Sequence, residues 1–272
     1  MPMAKVGDIE IYFSREGTGL PILFIGGLSA GQQLWAPVVE YLKHEYECIT
    51  FDNRGIGKSS KPPSGYTIPD LTQDTLGLLD SMSISRTHVV GMSLGGLIGQ
   101  DMALKRPEII GGLVLVGSFA KTSPRGDLVQ ETQKILQKRL EPYEYFLVQA
   151  TWMFAPDTLG KPGFAEEYAR KAASNPHPQA RHAFEQLADG VKQFDLRAKL
   201  KDIKKPTRVV VGEEDIMATP SQSRVLAEGI PGAEMMVLSG LGHFLTSEDP
   251  KGLAECINDF LKRVDAREIG SR

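Results

Sequence analysis

The chain has 272 residues, 41% hydrophobic and 24% charged, with a formal net charge of −3. That balance suits a soluble globular protein of one large α/β domain or two small ones. With no basic block or arginine stripe, it argues against nucleic acid and anionic membrane surfaces as partners. No apolar run approaches the roughly 18 residues of a membrane span. The first ten residues carry no apolar signal core. Two cysteines, Cys48 and Cys256, make no disulfide framework and are expected to be buried thiols of a cytoplasmic protein. No Cys/His group has metal spacing and no glycine-rich phosphate loop occurs, so neither a metal nor another cofactor is expected.

Taken in order, residues 4–15 predict an antiparallel pair, with Ile9, Ile11 and Phe13 alternating with polar positions. The apolar run 21–25 suits a strand covered on both faces. It ends in the small-residue loop 26–31, and a helix follows over about 35–44 with Trp35 as a core residue. A strand at 46–51 runs into a Pro/Gly/Ser-rich loop, then a helix over about 69–82. The β-branched run 88–90 leads through a tight turn into a helix over 94–106, ended by Pro107. Another buried strand spans 109–116. Strand and helix alternate, the mark of a mostly parallel sheet.

The rhythm then changes. Residues 119–204 hold helical patterns, several prolines and many large apolar side chains, among them Trp152, Phe154 and Phe164. That is too much apolar surface for a solvated linker. The segment is read as a helical cap, with residues 1–118 and 205–272 as the core. A strand at 207–211, a helix near 220–229, a strand at 233–238 and a helix near 250–263 follow, and the tail after Arg263 is expected to fray.

The turn at residues 91–95 reads Gly-Met-Ser-Leu-Gly. Between a strand and a helix, Gly-x-Ser-x-Gly is a nucleophile elbow: small neighbours let Ser93 take a strained conformation that lifts its hydroxyl clear of the sheet. The helix behind it favours negative charge. Such an elbow calls for an acid and then a histidine, each just beyond a strand. Asp215 follows the strand 207–211 and His243 follows the strand 233–238. Sites in open α/β sheets lie at that edge. A serine hydroxyl needs a neighbouring base, which His243 supplies, and Asp215 would fix the imidazole tautomer. The backbone N–H groups of Leu28 and Leu94 are expected to form the oxyanion hole.

The other histidines, His44, His88, His177 and His182, are read as structural or surface residues, and Glu213 and Glu214 as solvated loop carboxylates. Asp195 is read as a helix cap. Asp52 and Arg54 are expected to pair and hold their loop.

These residues resemble the α/β-hydrolase fold superfamily over nearly the whole chain. The elbow 91–96, the turn Asp52-Asn53-Arg54-Gly55-Ile56-Gly57-Lys58-Ser59, the acid loop 212–215 and the histidine loop 240–243 carry the resemblance. The Asp-x-Arg-Gly-x-Gly-x-Ser turn is similar to that of the single-cap branch. The stretches 71–80 and 97–100 look most like 3-oxoadipate enol-lactonases and small bacterial carboxylesterases. Many relatives have His-Gly where this chain has Gly26-Gly27. The resemblance implies a mostly parallel eight-stranded sheet flanked by helices, with the cap inserted after the sixth strand.

The reading is a serine carboxylic-ester hydrolase working through an acyl-enzyme on small to medium apolar esters or lactones. Gly27, Met92, Phe119, Trp152, Phe154, Met217 and Phe244 are the expected pocket residues. The alternatives are a lactonase of the enol-lactonase type, a carbon–carbon bond hydrolase, and a triad-bearing small-ligand receptor. An anionic lactone would need a cation in the pocket, for which the cap offers Arg125, Lys134, Arg139, Arg170, Arg181 and Lys192. The partner is a small molecule, and the chain a monomer or homodimer.

Overall fold

The structure is a computed structural model that describes residues 2–270. Eight strands form one sheet: β1 (Met3–Val6), β2 (Ile9–Glu16), β3 (Leu20–Ile25), β4 (Tyr46–Phe51), β5 (Thr87–Met92), β6 (Ile110–Val116), β7 (Thr207–Gly212) and β8 (Glu234–Leu238). Their order is β1-β2-β4-β3-β5-β6-β7-β8. β2 is antiparallel to β1 and to β4, and every other pair is parallel.

Alternation along each strand divides the core in two. Leu23, Ile25, Val89, Leu113 and Val209 face one side. There they pack under α2 (Ile68–Ser81), α3 (Leu94–Lys105) and α9 (Pro220–Gly229). Ile22, Phe24, Val90, Val114 and Val210 face the other side, under α1 (Ala36–Leu42) and α11 (Pro250–Gly270). Trp35 is fully buried there, its ring 5.1 Å from that of Phe24. The central strands β5, β6 and β7 are buried at every position, which is why β6 reads as an unbroken apolar run and β5 and β7 carry apolar runs after their first two residues. Helix starts follow local chemistry. Thr67 and Asp70 form a reciprocal capping box on α2.

Five α-helices and a 3-10 helix (Arg197–Asp202) lie between β6 and β7: α4 (Pro124–Leu136), α5 (Pro142–Met153), α6 (Pro156–Leu159), α7 (Phe164–Ala173) and α8 (Arg181–Gln193). They carry a small core of their own, in which Phe154 meets Phe164, Tyr168 and Phe244 edge to face. The short α10 (Leu245–Glu248) follows the histidine loop.

Three expectations need correction. Asp52 does not pair with Arg54. Its carboxylate accepts from the backbone of Gln32 and Lys58 (2.8 and 2.9 Å), bracing two loops at the end of β4. Arg54 instead forks onto Asp74 of α2 and donates to the Gly65 carbonyl (2.6 Å). Its long side chain reaches across the loop where Asp52 faces inward. The chain past Arg263 is still helical, because α11 continues to Gly270; residues 271 and 272 lie outside the described residues. Asp195 accepts from the Arg197 amide (3.1 Å), as a cap would, but Leu196 holds the cap position and the carboxylate also pairs with Arg197 and Lys121.

Cys48 and Cys256 are free and buried, and burial pushes the Cys48 thiol up to about 12. Arg208, buried in β7, ties the sheet to α11. It donates to the Cys256 carbonyl (2.7 Å) and pairs with Glu234 of β8 and Asp259 of α11. Arg263 forks onto the same Glu234 at 2.7 Å. The hydrogen bond from Arg263, joined by that from Arg208, holds the Glu234 carboxyl down at about 2, against an ordinary value of 4.5. A carboxyl held below its unfolded value contributes stability that is whole above the unfolded value and lost as pH falls toward the folded one. Melting temperature measured against pH is therefore expected to fall less steeply between about pH 4.5 and 2 in Glu234→Gln than in the parent chain. Parallel slopes in that window would show that this carboxyl is not held down.

Candidate active site

Ser93 joins β5 to α3 with φ 54 and ψ −118, one of three non-glycine residues at positive φ among the described residues. The conformation is held at both ends. The Ser93 N–H donates to the Val116 carbonyl (2.9 Å), and the Ser118 hydroxyl donates to the Ser93 carbonyl (2.9 Å). The flanking glycines are required by contact. A Cβ on Gly95 would collide with the Ile25 carbonyl of β3, and one on Gly91 with the Gly95 carbonyl. Ser93 thus projects from the sheet edge, half-buried, with Gly27 packed against it.

Asp215 and His243 meet at the same edge. His243 Nδ1 lies 2.8 Å from Asp215 Oδ2, and both side chains are buried. The other carboxylate oxygen accepts from the backbone N–H groups of Met217 and Ala218, each at 2.8 Å. An ionised carboxylate only accepts, so the contact with Asp215 calls for the proton on Nδ1. Both residues come from loops that follow strands, β7 and β8. Glu213 and Glu214 are exposed, and Glu213 accepts from Ser239 and Gly240 instead of reaching the cleft.

Ser93 and His243 line one cavity of about 50 Å³. Leu28 and Leu94 line it as well. Leu94 opens α3, where an N–H has no partner within the helix. The Leu28 N–H makes no hydrogen bond among the described residues. Neither N–H is thus taken by a partner among the described residues.

Of the expected pocket residues, Gly27, Met92, Phe119, Met217 and Phe244 line the cavity. Trp152 and Phe154 do not. Both pack in the small core of the inserted helices, and successive residues near the end of α5 point different ways, so Met153 between them takes the cavity position. None of the six cationic side chains considered for an anionic substrate lines it. Lys134 pairs with Asp189 and Glu131, and the other five are exposed.

His88 is buried in β5, accepts from the Gly112 N–H (2.9 Å) and faces Asp265 of α11, a structural post. His44, His177 and His182 are exposed.

Several site residues carry no sequence signal. The Met153 carbonyl accepts from the N–H groups of both His243 (2.9 Å) and Phe244 (3.0 Å). Glu248 accepts from Gly242 (2.7 Å) and Ala155 (2.8 Å), bracing the histidine loop against the end of α5. Gln130, Gln133 and Gln149, from α4 and α5, form part of the cavity wall. Glutamines read as solvated helix positions, and a carbonyl contact has no residue type to announce it.

The sequence profile described as alpha/beta hydrolase fold matches residues 21–250. A protein of Azorhizobium caulinodans named "putative carbamate hydrolase RutD" is 28% identical over 97% of this chain and 100% of its own length. Among solved structures, an enol-lactonase from Burkholderia xenovorans superposes with a TM-score of 0.86 at 26% identity, covering 96% of this chain and 100% of that one. A thermophilic esterase from Thermogutta terrifontis gives 0.85 at 25% identity, covering 97% and 99%. The elbow, the strand order and the profile match agree: this chain belongs to the α/β-hydrolase fold family.

Proposed function

We propose that the protein is a serine hydrolase that cleaves small carboxylic esters through an acyl-enzyme, with Ser93 as nucleophile, His243 as acid–base and Asp215 as its partner. The observation that carries this reading is one cavity bounded by the Ser93 elbow and by His243, whose Nδ1 is tied to buried Asp215. The names of the similar proteins support the bond class. A carbamate, a lactone and an ester all present an acyl carbon bonded to a heteroatom.

In this mechanism Ser93 Oγ attacks the acyl carbon while His243 Nε2 accepts its proton. The carbonyl oxygen becomes an oxyanion, stabilised by the Leu28 and Leu94 N–H groups, each worth about 10²–10³ in rate. His243 then returns the proton to the leaving alkoxide, giving alcohol and acyl-Ser93. Water enters, gives its proton to His243 and attacks the acyl carbon; the proton passes to Ser93 as the acid leaves. Asp215 holds the imidazole in the tautomer that exposes Nε2 and stabilises the imidazolium. The cavity is well below the roughly 300–1,000 Å³ of a typical ligand cleft, so the fitting substrates are small or shift the helices above. Its apolar walls, Leu34, Met92, Phe119 and Val191, suit an alkyl portion. The helices of residues 119–204 act in this reading as the cap over Ser93.

Ser93→Ala is expected to abolish labelling by a fluorophosphonate and to lower hydrolysis of short p-nitrophenyl esters by several orders of magnitude. Labelling that persists, or that maps to another serine, removes the nucleophile assignment. Asp215→Asn is expected to cost about 10⁴ in kcat through the wrong tautomer. Glu213→Gln and Glu214→Gln should leave initial rates nearly unchanged, and a comparable loss in either would move the acid to that residue.

A further inference from the structure

Helix α4 is turned inside out. Its exposed face carries Leu128 and Ile135, 68% and 58% exposed, while its buried face carries Gly126, Gln130 and Gln133. An ordinary surface helix buries its apolar stripe. Gln130 and Gln133 are 9% and 3% exposed, and both line the cavity that holds Ser93. Neither carboxamide makes a hydrogen bond to any described residue. Gln149, 6% exposed, continues the wall from α5; its Oε1 accepts from Tyr168 at 2.6 Å. Thr122 adds a hydroxyl to the same lining.

Buried polar groups are nearly always satisfied, because leaving one unpaired costs as much as its desolvation. Neither carboxamide is among the sealed, unpartnered polar groups of the described residues, so both keep contact with what fills the cavity and are donors and acceptors open to whatever enters it. Their chemistry narrows the occupant. A carboxamide offers an N–H and a carbonyl together and carries no charge. It pairs with an amide, carbamate or hydroxyl group. It does not repay the desolvation of a carboxylate, and no lysine or arginine lines this cavity. Against a purely alkyl group both carboxamides stay unpaired, and sites built to hydrogen-bond reject such analogues strongly.

We propose that Gln130 and Gln133 form a selectivity wall that directs the site to esters bearing a second, neutral hydrogen-bonding group, an amide, carbamate or hydroxyl, in preference to alkyl and carboxylate counterparts. This rests on the ester-hydrolase reading above and assigns the substrate class within it.

Three methyl esters of matched shape test it: those of succinamic acid, 4-methylpentanoic acid and succinic acid, which end in a carboxamide, an isopropyl group and a carboxylate. Binding is measured by calorimetry on Ser93→Ala, and turnover by initial rates on the parent chain. The amide-ended ester is expected to bind about tenfold or more tighter than the other two, the weight of one or two buried hydrogen bonds. The order in kcat/KM should match. Gln130→Leu/Gln133→Leu, which removes no bond within the protein, should keep the melting temperature and move the preference to the isopropyl ester. Equal binding of the three by the Ser93→Ala protein, or tightest binding of either counterpart, overturns the wall whatever the variant does. Selective binding without turnover of any ester by the parent chain upholds the wall and overturns the hydrolase reading instead.

Discussion

A single residue at positive φ sets the geometry on which the candidate site depends. Ser93 occupies a backbone conformation that costs an ordinary residue about 1–3 kcal/mol. It is tolerated because the surroundings over-determine it. Its N–H is taken by β6, its carbonyl by Ser118, and the backbones on either side press against β3 and α3 with no room for a side chain. The consequence runs outward. β3, β5 and β6 must lie side by side for these contacts to exist, and the full burial of β5, β6 and the last four residues of β3 keeps them there. The strained turn and the apolar core are one device: the core supplies the rigidity, and the turn uses it to point a hydroxyl.

The other half of the site is held differently. Asp215 and His243 lie on loops, which the sheet positions only at their roots. Backbone hydrogen bonds to the Asp215 carboxylate fix one loop, and the Met153 carbonyl and Glu248 fix the other. Part of the support for the imidazole thus comes from the inserted helices and not from the sheet. The Phe154 cluster, which includes Phe244 beside His243, adds apolar contact to the same junction.

The sheet was readable because buried parallel strands are dominated by short apolar, β-branched runs, and the Ser93 turn because strain demands glycine at known offsets. Asp215 and His243 were readable through their places after β7 and β8. What the sequence did not reveal follows from geometry that no pattern encodes. Trp152 and Phe154 are as apolar as pocket residues should be, but helix rotation sends Met153 to the cavity in their place. Arg54 lies two residues from Asp52 and pairs with Asp74, twenty residues away, because reach decides and not sequence distance. Gln130 and Gln133 look like solvent-facing positions, and only the packed structure shows that α4 turns Leu128 and Ile135 outward.

The Met153 carbonyl that receives both His243 and Phe244 makes the inserted helices part of the support of the imidazole loop. If α5 lifts from its C-terminal end, the backbone at His243 and Phe244 loses two hydrogen bonds at once. If the helices part at α4 and α8 instead, the imidazole keeps its anchor while the mouth widens. The first motion would loosen the His243 loop as the cavity opens; the second would widen the cavity around an unchanged loop. Which end of the inserted helices parted would thus decide whether opening the cavity also unsettles the loop that carries the imidazole.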